Sequence, residues 1–111
     1  MPDPYLVLFV ADAATDGHAD ALRAAARRVP DAGFFDDPGA EAGGEIRTVG
    51  TYVRARVPLD GLALLREVAA ISRALGARFE IQHAEVILGY LVEGRPDASL
   101  ASHLGDIPEP L

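Results

Sequence analysis

An α+β domain is what this sequence predicts, and three observations predict it. An apolar strand-like run, Tyr5-Leu6-Val7-Leu8-Phe9-Val10-Ala11, opens the chain. Two segments with helical spacing follow at 15–29 and 60–76, and period-two segments separate and follow them. With 111 residues, half of them hydrophobic, there is material for one domain, with a core at about 4–92 and a tail at 93–111.

Successive strand side chains point to opposite faces, so Leu6, Leu8 and Val10 share one face and Tyr5, Val7 and Phe9 the other. Both sets are apolar. The helices of so short a chain suffice for one face only, so the second face requires a partner, a ligand or an extra segment.

Thr15 or Asp16 is placed as a helix N-cap, with Asp20 near the positive end of the dipole. Leu22, Ala25, Ala26 and Val29 then form an apolar stripe, and Pro30 ends the helix. Phe34-Phe35 begin a short second strand, and Asp36-Asp37-Pro38-Gly39 is turn chemistry leading into a Gly-rich loop. From Ile46 to Val57 the period is two: Val49, Thr51, Val53, Ala55 and Val57 share one face, while Tyr52, Arg54 and Arg56 lie on the other. Gly50 marks a bulge or the close approach of another backbone.

Asp60 caps the second helix, whose stripe is Leu64, Val68, Ile71 and Leu75, widened by Leu65 and Ala69, with Gly76 as the stop. The segment 78–92 breaks parity: Phe79 and Ile81 fall with His83 and Glu85, whereas Val86, Leu88 and Tyr90 fall opposite. A bulge or tight turn at His83-Ala84-Glu85 repairs the register and makes a C-terminal hairpin. Asp97 caps a short helix running to His103. The resulting βαββαβ order resembles the ferredoxin-like fold over about residues 4–92. That resemblance implies two helices on one face of an antiparallel sheet with the first strand central.

Composition excludes several functions. Without cysteine there is no disulfide, thiolate chemistry or cysteine-zinc site. A net charge of −7 argues against nucleic acid as the main partner. No apolar run approaches the roughly 20 residues that cross a bilayer, and Met1-Pro2-Asp3-Pro4 lacks a signal-peptide start, so a cytoplasmic protein without a membrane partner is expected. All ten basic residues are Arg, and Lys, Asn, Cys and Trp are absent, the usage expected of a GC-rich genome.

The densest polar cluster is Asp12, Asp16, His18 and Asp20. As a calcium loop it fails, because Ala14 and Arg23 stand at the third and twelfth positions. Capping and first-turn charge explain Asp16 and Asp20, so no metal and no cofactor are expected. His83 and Glu85, two apart on a strand, form a candidate acid/base pair, for which an exposed turn is the plainer explanation. Ser72, Ser99 and Ser102 lack a nucleophile elbow. No catalytic residue is assigned.

Two functions from different classes fit these residues. The first is a small, acidic, non-catalytic binding protein that self-associates or grips a protein partner through its apolar sheet face. Asp36, Asp37, Glu41 and Glu45 would steer a basic partner. In size, charge and architecture it is similar to bacterial immunity proteins that neutralise a toxin, or to a regulatory domain. The second is an enzyme resembling the dimeric α+β barrel proteins, with Tyr52, Arg54, His83 and Tyr90 reaching a pocket for a small aromatic or polyketide-like molecule.

Overall fold

The computed structural model describes residues 3–38 and 47–105. Six strands form one antiparallel sheet: β1 (Tyr5–Val10), β2 (Gly33–Asp37), β3 (Thr48–Arg54), β4 (Phe79–His83), β5 (Val86–Val92) and β6 (Arg95–Pro96), in the order β2-β3-β1-β4-β5-β6. Three helices complete it: α1 (Asp16–Arg28), α2 (Leu62–Leu75) and α3 (Ala98–Leu104). The α+β class expected from the pattern is what is observed. Glu41, Glu45, Ile46 and Gly39 lie outside the described residues.

β1 is an inner strand, pairing with β3 from Tyr5↔Arg54 to Phe9↔Gly50 and with β4 from Leu6↔His83 to Val10↔Phe79. Its alternation is strict: Leu6, Leu8 and Val10 are buried, while Tyr5 is exposed and Val7 and Phe9 are half-buried. One core joins Leu6, Leu8 and Val10 to Val49, Val53, Phe79 and Ile81 of the sheet, and to Leu22, Leu64, Leu65, Val68, Leu100 and Leu104 of the three helices. Every helix therefore packs on the face that Leu6 and Leu8 share.

α1 begins at Thr15, whose hydroxyl accepts from the His18 amide at 3.3 Å while His18 Nδ1 accepts from the Thr15 amide at 3.1 Å. Val29 is already extended (φ −113°), as Pro30 requires. α2 ends at Gly76 with φ +65°. Asp60 lies inside a 3-10 turn, Pro58–Gly61, and its carboxylate accepts from the Val57 amide at 3.4 Å, so it caps that turn; Gly61 is the N-cap of α2.

The α2 stripe also needs correction. Leu64, Leu65, Val68 and Ala69 are fully buried, but Leu75 is 48 % exposed. Ser72 takes the place one turn earlier: its hydroxyl donates to the Ala77 carbonyl at 2.7 Å and accepts from the Gly94 amide at 2.9 Å. That pairing draws the end of the helix down on the 72 side and turns Leu75 outward. Val57 is likewise exposed, because β3 ends at Arg54.

A tight turn at Ala84-Glu85 joins β4 to β5, with φ of 52° and 68°, the left-handed pair of a type I′ hairpin. The turn stands where the parity broke, but a second irregularity follows. Ile81 pairs with Gly89 while Gln82 pairs with Ile87, leaving Leu88 as the extra residue of a bulge. Leu88 therefore enters the core and Tyr90 points to the opposite face, where a simple alternation had placed them together. At Gly89 a Cβ would stand 2.5 Å from the Leu100 amide nitrogen and from an Asp97 carboxylate oxygen, so only glycine lets the start of α3 lie on the strand. Asp97 caps α3, as its position predicts, by accepting from the Leu100 amide at 2.8 Å.

Candidate functional site: the open sheet face

The face away from the helices carries Tyr5, Val7 and Phe9 of β1, Gly50, Tyr52 and Arg54 of β3, Gly33 and Phe35 of β2, Glu80 and Gln82 of β4, and Ile87, Tyr90 and Val92 of β5, by strand pairing. No described element covers it. Ile87 is 53 % exposed, Val92 43 % and Tyr5 41 %. A contiguous apolar surface of this kind marks a binding region more often than scattered single residues do.

Its aromatic half is ordered by glycine. Tyr52 pairs with Gly33 and Phe35 with Gly50. A Cβ on Gly33 would meet the Tyr52 ring at 2.2 Å, and one on Gly50 would meet Phe35 Cζ at 2.6 Å. Each ring lies across the bare backbone of its partner residue, which flattens the surface. A Cβ on Gly50 would also stand 2.6 Å from the Leu8 carbonyl oxygen, the close approach of another backbone that the sequence marked. Tyr5 and Tyr52 meet edge to face at 5.4 Å, Phe35 lies 6.4 Å from Tyr52, and the Arg54 guanidinium stacks 4.7 Å over Tyr5. Arg54 Nη1 also donates to the Asp3 carbonyl at 3.1 Å.

The polar half is closed on itself. Glu80 accepts from Gln82 Nε2 at 2.6 Å on one oxygen and from the Tyr90 hydroxyl at 3.1 Å on the other. The Arg78 guanidinium lies 5.1 Å over the Tyr90 ring. The hydrogen bond to Glu80, reinforced by its charge, holds the Tyr90 phenol above its ordinary pKa. A carboxylate already holding two donors is less costly to cover than a bare one.

Two concavities adjoin this face. One, of about 490 Å³, is lined by Pro4, Tyr5, Val7, Gln82, Ala84 and Glu85. The other, of about 450 Å³, is a polar cleft lined by Tyr5, Pro30, Asp31, Tyr52, Val53, Arg54 and Asp60.

Of the four residues expected to reach a pocket, Tyr52 and Arg54 adjoin one another around Tyr5. Tyr90 lies on the same face but across β1 and β4. His83 points to the core side of β4, where its Nε2 lies 2.8 Å from the Ala55 carbonyl, while Glu85 occupies the turn. Of the four acids expected to meet a partner, Asp36 is engaged within the chain. Arg47 donates Nε and Nη2 to its two oxygens at 2.9 and 2.7 Å and Nη1 to Asp16 at 2.8 Å. The fork-to-fork hydrogen bonds from Arg47 hold the Asp36 carboxyl below the usual carboxylate range. Asp37 ends the same strand.

The Asp12–Asp20 cluster disperses in the same way: Asp12 pairs with Arg78, Asp16 with Arg47 and Asp20 with Arg23, and His18 caps α1. No group of three or more His, Asp or Glu is placed to hold a metal ion among the described residues. Ser99 donates to the Leu88 carbonyl at 2.6 Å, a structural role like that of Ser72.

Sequence reasoning missed the Glu80–Gln82–Tyr90 network and the place of Ile87 beside it. The signal was present in the alternation Glu80, Gln82 on β4, but the bulge at Leu88 concealed which residues of β5 stood opposite. No helix among the described residues is long and apolar enough to cross a membrane. No family model, no curated protein and no solved structure matches this chain.

Proposed function

We propose that this chain is a non-catalytic protein-binding module and that the open sheet face is its contact surface. The observation that carries this reading is the contrast across β1: one set of side chains is sealed under three helices, and the other, equally apolar, has no cover among the described residues. The element order through β4 and the run β2-β3-β1-β4 within the sheet support a ferredoxin-like core, extended on the β4 side by β5, β6 and α3. Such a core has helices for one face only. An immunity-like or regulatory role and a cytoplasmic setting accord with this size and acidity. The reading rests on the open face, since Asp36 is held by Arg47 and a steering role falls to the overall acidity.

The test is retention of a partner from a lysate of the source organism by immobilised wild-type chain and by Val7→Asp. A protein held by the wild type and lost with the variant, whose own fold is intact by circular dichroism, supports the reading. Partners held equally by both overturn it.

A second reading has one observation in its favour. The concavity of about 490 Å³ on this face is large enough for a small molecule, as the dimeric α+β barrel alternative requires. Its rim offers Gln82 and Glu85 but neither His83 nor Tyr90. Saturable binding of a small aromatic acid, abolished by filling the space with Ala84→Phe and unaffected by Val92→Asp, would favour this reading.

A further inference from the structure

Resting on the open face as a contact surface, we infer that its occupant is a second copy of this chain, docked face to face about a twofold axis that runs along β1. The face is complementary to itself under this operation. An axis along β1, lying between two facing sheets, exchanges the strands on either side: β4 of one copy covers β3 of the other, and β5 covers β2. Residues then meet at the same height along β1, and the strand pairings fix those heights. At the level of Phe9, Phe35 faces Tyr90. At the level of Val7, Tyr52 faces Gln82, and Ile87 settles over the Tyr52 ring where it crosses Gly33. At the level of Tyr5, Arg54 faces the Ala84-Glu85 turn.

Arg54 thus enters the concavity of about 490 Å³ that Glu85 borders, and the operation places two such contacts about the axis. No carboxylate pairs with Arg54 among the described residues. The other twofold, crossing the strands at Val7, stacks Gln82 on Gln82 and Tyr52 on Tyr52 and sets Arg54 against the Gly50 level, away from any acid. Packed sheets stand about 10 Å apart and are aligned to within about 30°, which brings long side chains at the central levels within reach.

Charge points the same way. The chain carries −7, yet the open face, with Arg54 and with Arg78 held by Asp12 set against Glu80, Glu85 and Asp37, carries only a minor part of it. A strongly basic partner is therefore better matched elsewhere, and a second copy meets little repulsion here. Size sets the strength. Five strands at about 4.8 Å spacing and five residues at about 3.4 Å rise give on the order of 400 Å² of ground plan per copy. Two copies bury about 800 Å² before side-chain relief is counted, below the roughly 1,200 Å² of standard interfaces and in the size class of weak, transient ones. The dimer should be of micromolar strength.

Sedimentation equilibrium of the purified chain between about 1 and 500 µM tests this directly. The wild type is expected to dimerise with a Kd in the micromolar range. Arg54→Glu and Glu85→Arg should each weaken the dimer about tenfold, and the double exchange should restore it to within about threefold, by the coupling expected of a close charge pair. Both sites are exposed, and Glu85→Arg leaves the turn as strained as before. A chain that stays monomeric at 500 µM overturns the inference while leaving the contact surface to a different protein. A dimer unaffected by the two exchanges and by Val7→Asp uses another surface, which overturns the inference; the reading beneath it falls only if partners from the lysate are also held equally by the wild type and Val7→Asp.

Discussion

The two faces of β1 are built from the same kind of residue and treated in opposite ways. Leu6, Leu8 and Val10 sit under α1, α2 and α3 with at most 4 % of their surface left to water. Val7 and Phe9, their immediate neighbours in the chain, have no cover from any described element, and Tyr5 is 41 % exposed. Hydrophobicity along the strand therefore does not report burial within one chain. What reports it is whether a second layer exists, and the three described helices all lie on one side, leaving none among the described residues for the other.

Truncation separates the two faces most sharply. Leu8→Ala and Leu64→Ala remove fully buried side chains and should each cost about 2–5 kcal/mol, since the helices above cannot close the space. Val7→Ala should cost less than about 1 kcal/mol in dilute solution, because no described element packs over it there. Leu75→Ala, at the outward end of α2, should change stability by less than about 0.5 kcal/mol. Urea unfolding of dilute protein measures all four, and equal losses at Leu8 and Val7 would break the comparison.

A smaller effect of opposite sign comes from inside the core. Thr51 is fully buried beside Leu8, and its hydroxyl is a buried polar group without a hydrogen-bond partner among the described residues. Thr51→Val keeps the shape and removes that group, so thermal unfolding should show a gain of about 1 kcal/mol. A loss would mean that the hydroxyl has found a donor or acceptor after all.

The smallest effect is in acid. Arg47 holds the Asp36 carboxyl below its usual pKa, so the pair stabilises the fold above the ordinary carboxylate value near ~3.9. That contribution is lost as pH falls through the lowered native pKa. Arg47→Gln should therefore reduce the fall in Tm between about pH 4 and 2, and an unchanged pH profile would remove Asp36 from the account.

The sequence disclosed β1, both principal helices and their stops, because Pro30, Gly76 and the apolar spacing act locally. It disclosed the turn at Ala84-Glu85 only as a break in parity, and it did not disclose the bulge at Leu88, which goes with the start of α3 lying against Gly89. Leu75 misled for a similar reason: spacing alone cannot show that Ser72, through Ala77 and Gly94, decides how the last turn sits. The candidate site was legible as an idea, in the double-sided apolar β1, rather than as residues. Tyr52 and Arg54 do gather around Tyr5, but His83 turns to the core side because the pairing Leu6↔His83 sets it there.

The measurement closest to the central claim is the response of side-chain methyl resonances to protein concentration. Between about 5 and 500 µM, signals from Val7, Ile87 and Val92 on the open face should shift together, while those of Leu6, Leu8 and Leu64 stay in place. Movement confined to methyl groups of the helices, such as Leu75, would show that the chain meets its own kind through the other side of the molecule and would contradict the account.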